Sequence, residues 1–184
     1  MPTKIIFLLM GFLFSCSESY TPKPRGFFKV SLPDKDYEAI TVDCNFYFEK
    51  PVYSILEEIG KDCFFNLRFP DQDGVLHITY LPLKSNLLEH IEESRRLALK
   101  HNVMADAISE SVYINDEYRV YGLLYDYEGV TASAVQFYLT DSMNHFFRGA
   151  LYFNTKVTDS LLPINNFLKA DIRYLVETFR WNHF

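Results

Sequence analysis

The sequence predicts an α+β domain: an antiparallel sheet with an amphipathic mid-chain helix and a long C-terminal helix packed on it. Three observations carry this. Seventeen Phe and thirteen Tyr against seven Gly favour half-buried, pleated surfaces. Several segments alternate apolar and polar residues with the period of a strand. Two others change to the three-and-four spacing that draws an apolar stripe along a helix. Strands gathered in runs, rather than alternating strictly with helices, belong to the α+β class.

In chain order the first element is a leader. Lys4 supplies a positive charge, and Ile5 to Phe14 is an unbroken apolar run of ten residues. That length suits the ~7–15 residues of a signal-peptide core and falls short of the ~20 of a membrane-spanning helix. Leu13-Phe14-Ser15-Cys16 resembles the lipobox of bacterial lipoproteins, although Phe14 is bulkier than the second residue that pattern prefers. The expected organisation is a signal peptide over 1–15, an acylated Cys16 with an extended tether over 16–25, and a single α+β domain over 26–184. An ordinary secretory signal ending beside a cysteine is the alternative. Two or more acyl chains on Cys16 would anchor the protein stably where one does not.

Phe28, Val30 and Leu32 share one face of a first expected strand, with Lys29 and Ser31 opposite. Cys63, Phe65, Leu67 and Phe69 share one face of the next, with Asn66 and Arg68 on the other. Asp71-Gln72-Asp73-Gly74 has the residues of a tight turn, and Val75 to Leu81 returns as a strand. Ser85 to Lys100 changes period: Leu87, Leu88, Ile91 and Ala98 form an apolar face, and Asn86 with Glu89 suggests a capping box. Three strands follow, over Tyr118–Tyr127, Ala134–Thr140 and His145–Phe153, apolar on both faces as covered strands are. Leu161, Ile164, Leu168, Ile172, Leu175 and Phe179 then mark a helix of about six turns, capped by Asp159 or Ser160, with Pro163 in its first turn.

The chemistry is sparse. A net charge of -6 without a Lys/Arg cluster excludes a nucleic-acid face. The five histidines and three cysteines show no metal-ligand spacing, and neither a phosphate-binding glycine loop nor a nucleophile elbow is present. No catalytic residue, metal or cofactor is therefore expected. The densest reactive cluster is Asp141, Ser142 and His145, with Arg148 beyond. Neighbours in one tight turn rarely make a directed triad, so the segment reads as a hairpin loop, with partner binding and then catalysis as lesser alternatives. Cys44 and Cys63 would sit in an oxidising compartment and are expected to bond to each other from adjacent strands. Two buried free thiols are the alternative.

Thr21 to Phe28 (TPKPRGFF) after a lipobox, Gln136 to Asn154 (QFYLTDSMNHFFRGALYFN) and Asp159 to Pro163 (DSLLP) resemble the gliding motility lipoprotein GldD family of the Bacteroidota. The likeness runs to Trp181, and the family places a cysteine pair where Cys44 and Cys63 fall. The resemblance implies a non-enzymatic, periplasm-facing lipoprotein, needed for gliding and linked to type IX protein secretion. Its partners would be the membrane, through Cys16, and other envelope proteins of that apparatus. A ligand-binding lipoprotein or a periplasmic hydrolase are the competing readings.

Overall fold

A computed structural model describes residues 31–60, 62–100, 105–129, 133–155 and 161–182. The leader, Cys16, the tether, most of the expected first strand and the caps Asp159 and Ser160 lie outside the described residues.

Three short strands come first: β1 (Tyr37–Ala39), β2 (Phe46–Tyr47) and β3 (Glu49–Pro51). The main sheet is built from β4 (Ile55–Glu58), β5 (Phe65–Phe69), β6 (Gly74–Pro82), β7 (Ala107–Asn115), β8 (Val120–Glu128), β9 (Ser133–Thr140) and β10 (His145–Phe153). Helix α1 (Leu87–Lys100) follows β6, and α2 (Leu162–Thr178) leads into the last strand, β11 (Arg180–Trp181). The seven strands lie in the order β4-β5-β6-β10-β9-β8-β7, and every neighbouring pair is antiparallel. After β6 the chain passes through α1 to the far edge and returns as the meander β7 to β10, which closes back on β6.

The period of two assigns the faces. Phe65, Leu67 and Phe69 of β5 join Leu76 and Ile78 of β6, Phe147 and Leu151 of β10, and Phe137 and Leu139 of β9 on one side, all buried. Against them pack Leu168, Ile172, Leu175 and Val176 of α2, together with Phe46, Phe48 and Phe179. The opposite face carries α1, whose Ala98 is buried with Tyr125 and Tyr127 of β8. The large-residue composition thus fills a two-sided sheet, as the α+β class requires. Gly149 sits where an added Cβ would lie 2.4 Å from the Phe137 ring, so the missing side chain makes room for an aromatic one.

Several details differ from the expectation. Ser31 and Leu32 are in no strand, and β1 to β4 and β7 were not foreseen. The turn after β5 is a 3-10 segment, Pro70–Gln72, ending on Asp73 in the left-handed region (φ 52°). The Asn86 carboxamide oxygen accepts from the Lys84 N–H at 2.8 Å instead of a helix N–H, so the capping box does not form. Helix α2 has 17 residues, under five turns at about 3.6 residues each, because Phe179 is already extended (ψ 136°) and turns the chain into β11.

Cys44 and Cys63 are disulfide-bonded, with Cα atoms 6.1 Å apart. They join the segments before β2 and before β5, not adjacent strands. The bond pins the outer ribbon, where β11 pairs β2, onto the edge of the main sheet. Closing a loop of 19 residues' separation stabilises by about 3 kcal/mol on the chain-entropy estimate. Reduction, or Cys63→Ala, is expected to lower the unfolding free energy by that amount, read as a fall in the denaturant midpoint; identical midpoints with and without reductant would show that the bridge constrains nothing.

Candidate functional site

The β9–β10 turn is built around one carboxylate. Asp141 is 6% exposed; its Oδ1 accepts the backbone N–H groups of Met143 (3.0 Å), Asn144 (2.8 Å) and His145 (2.8 Å). Its Oδ2 accepts from the Asn144 carboxamide. Ser142 takes the left-handed conformation at φ 69°, a strained position that this hydrogen-bonded frame holds in place. Burial raises the Asp141 carboxyl pKa, but the three backbone donors together outweigh it, and the net shift is downward. A depressed folded pKa means that the turn's contribution is present above the unfolded carboxylate's pKa, about 3.9, and is lost as the pH falls through the folded value.

His145 is committed elsewhere. Its Nδ1 lies 2.8 Å from the Tyr80 hydroxyl, and its ring stacks on Trp181 with centroids 5.0 Å apart. The Trp181 indole N–H in turn donates to the Arg119 carbonyl at 3.2 Å, tying the C-terminal strand to the β7–β8 turn. Both polar groups that a Ser142 nucleophile would need are therefore bonded to structural partners.

Arg148 does not join this group. Being odd and even positions of β10, His145 and Arg148 point to opposite faces of the sheet. Arg148 is half-buried on the α1 side, where its guanidinium donates to Gln136 Oε1 at 2.7 Å and burial pushes its pKa down. Of the four candidate contact residues, then, the structure brings Asp141, Ser142 and His145 to one end of the sheet and sends Arg148 beneath a helix.

What that end does present was not singled out by sequence. Met143 is 65% exposed, and the Arg119 guanidinium lies 3.5 Å from its sulfur. Arg180 lies over the Tyr118 ring at 3.7 Å. Two arginines beside a tyrosine and a methionine match the residue types that anchor protein interfaces. The only signal in the sequence is that Tyr118-Arg119 falls at a turn; the approach of Arg180, 62 residues later, is not readable from spacing. Nearby, an open cleft of about 430 Å³ is lined by Asp62, Cys63, Phe64, Tyr80, Leu81 and Pro82. Among the described residues no group of three or more His, Cys, Asp or Glu is placed to hold a metal, and no helix is long and apolar enough to cross a membrane.

Comparison with known families gives a match to the one described as gliding motility lipoprotein GldD, over residues 17–181. No curated protein matches the chain.

Proposed function

The chain belongs to the gliding motility lipoprotein GldD family, and from that premise we propose that it is a non-enzymatic accessory or assembly factor. As a member it is a lipid-anchored protein of the cell envelope related to gliding. The finer reading is that acyl chains on Cys16 hold it facing the periplasm, and that it acts by contact on other envelope proteins of the gliding and type IX secretion apparatus. The observation that carries this reading is the commitment of Asp141 to three backbone N–H groups and of His145 to Tyr80. The suggestive residues are scaffolding, and they support an end surface bearing Arg119, Met143, Tyr118 and Arg180.

Removing a catalytic oxygen abolishes a reaction while leaving the fold intact; removing an exposed hydroxyl from a contact surface changes little. Ser142→Ala is therefore expected to leave gliding and secretion near wild-type levels, whereas Arg119→Glu with Arg180→Glu is expected to abolish both at normal protein abundance. Spreading colonies, secreted-protein profiles and immunoblots of the same cells measure this. Normal amounts of Ser142→Ala protein without gliding or secretion would instead identify a catalytic serine.

A further inference from the structure

We propose that β7 is an interface between two copies of this chain, which pair edge to edge and antiparallel about a two-fold axis at Ser111. The two edges of the main sheet are unlike. An exposed edge presents unpaired backbone N–H and C=O groups, and proteins commonly blunt such edges with short strands, charges, prolines or bulges. β4 is blunted: it has four residues, among them Glu57, which pairs with Arg68 at 3.0 Å, and Glu58. β7 has almost none of these devices. It runs nine residues in unbroken register with β8, from Ala107 opposite Glu128 to Asn115 opposite Val120, without Pro or Lys and with Glu110 as its one charge. Among the described residues no strand pairs with its outer side.

Two of its apolar side chains are uncovered as well. Val112 is 71% and Ile114 64% exposed, on the face that α1 leaves open beside half-buried Leu123. The strand is complementary to itself. Pairing over its whole length with its own copy places Ser111 opposite Ser111, Ile108 opposite Ile114 and Glu110 opposite Val112. Every cross-strand pair on that face then holds at least one apolar side chain, and no glutamate meets a glutamate, which would be destabilising directly opposite. On the other face a cleft of about 160 Å³ along the same edge holds Tyr113, Arg173 and Glu177. It brings a cation and an anion to the seam, so that a two-fold copy can match both. Such an interface is isologous and closes at two subunits.

Antiparallel pairing reverses one copy along the strand direction, and the anchors still reach one bilayer. A nine-residue strand is about 30 Å long, whereas the fifteen residue-to-residue steps from Cys16 to Ser31 can extend to about 50 Å.

The test uses the full acylated chain in its own membranes, with single cysteines, mild oxidation and non-reducing electrophoresis. Directly opposite residues of antiparallel strands have Cα atoms about 4.5–5.5 Å apart, inside the ~4.4–6.8 Å range of a disulfide, and Cys44 and Cys63 are already bonded to each other. Ser111→Cys is expected to run mostly as a dimer of this chain. Ser109→Cys and Tyr113→Cys are expected to crosslink when made together in one cell, more than either alone, while Glu57→Cys on the β4 edge stays monomeric. Monomer from both the Ser111→Cys protein and the Ser109→Cys/Tyr113→Cys mixture overturns the proposal. So does equal dimer from Glu57→Cys, which would mark random collision, or a crosslink from Ser111→Cys to a different protein only.

Discussion

Replacing Asp171 with alanine is expected to cost about 3 kcal/mol, because it removes a buried charged acceptor whose hydrogen bonds are worth about 1.5–3 kcal/mol each. Asp171 is 1% exposed and lies at the centre of the joint between α2 and the outer strands. Its Oδ1 accepts from the Lys35 ammonium at 2.5 Å and the Tyr37 hydroxyl at 2.9 Å, and its Oδ2 accepts from the Tyr53 hydroxyl at 2.5 Å. Burial, then the hydrogen bond to Asp171 and its charge, hold both phenols protonated well above the usual tyrosine range. Without the carboxylate, two partly buried hydroxyls lose their acceptor, and the β1–β3 ribbon is left held to the helix by Glu49, which bonds Tyr174 and Thr178, and by the Tyr37–Tyr174 stack. Lys35→Met is expected to cost much less, since the lysine side chain is a third exposed and the methionine stem still packs on Phe167, over which the lysine lies at 3.8 Å. Denaturant midpoints measure both; a loss below about 1 kcal/mol for Asp171→Ala would mean that solvent replaces the carboxylate freely, contrary to its burial.

That joint shows where sequence reading stops. An aspartate at the polar edge of an amphipathic helix looks like any solvated residue, and its three partners stand more than a hundred positions away. The same holds for Asp126, reached by Arg173 at 2.8 Å and by Lys169 at 3.7 Å. By contrast β5, β6 and both helices are legible because each carries an apolar period of two or of three and four over five or more residues, and β8, β9 and β10 because each is an apolar run of strand length covered on both faces. β1 to β4 are two to four residues long, too short for a period to emerge. β7 is long enough, and Ile108, Val112 and Ile114 do alternate with polar residues, but its other face carries Ser109 and Ser111 and only Tyr113 reaches the edge of the main core. A strand so largely exposed on both sides lacks the hydrophobic contrast from which strands are read.

The candidate site divides in the same way. Asp and Asn in a short segment between strands announce a backbone-bonded turn, and Asp141 fulfils that through purely local bonds. The grouping of His145 with Arg148 fails for a reason also local, since positions of opposite parity on one strand cannot share a face. The disulfide is legible as a pair, yet its placement in two connecting segments depends on how the ribbon of β2 and β11 folds over the sheet, which is a long-range fact. Arg180 over Tyr118 is of the same kind.

The aromatic richness of the chain is the sequence feature with the greatest energetic consequence, and Phe147 is where it concentrates. This ring is fully buried in the first half of β10, with centroids at 4.8 Å from Phe179, 5.0 Å from Phe46, 6.0 Å from Phe137 and 6.1 Å from Phe48. It therefore joins the central strand to β9, to the outer β2–β3 segment and to the residue that ends α2. Phe147→Ala is expected to cost about 3–5 kcal/mol, combining lost transfer energy with a cavity that neighbouring rings cannot fill. Collapse is blocked on each side: Phe137 already occupies the space above Gly149, and Phe46 and Phe179 belong to segments held by the Cys44–Cys63 bond and by α2. Phe147→Leu keeps most of the volume and should lose clearly less. If the pocket could close, the alanine and leucine variants would unfold at nearly the same denaturant concentration, and that result would show these rings to be loosely packed filler instead of the element that fixes the outer ribbon on the sheet.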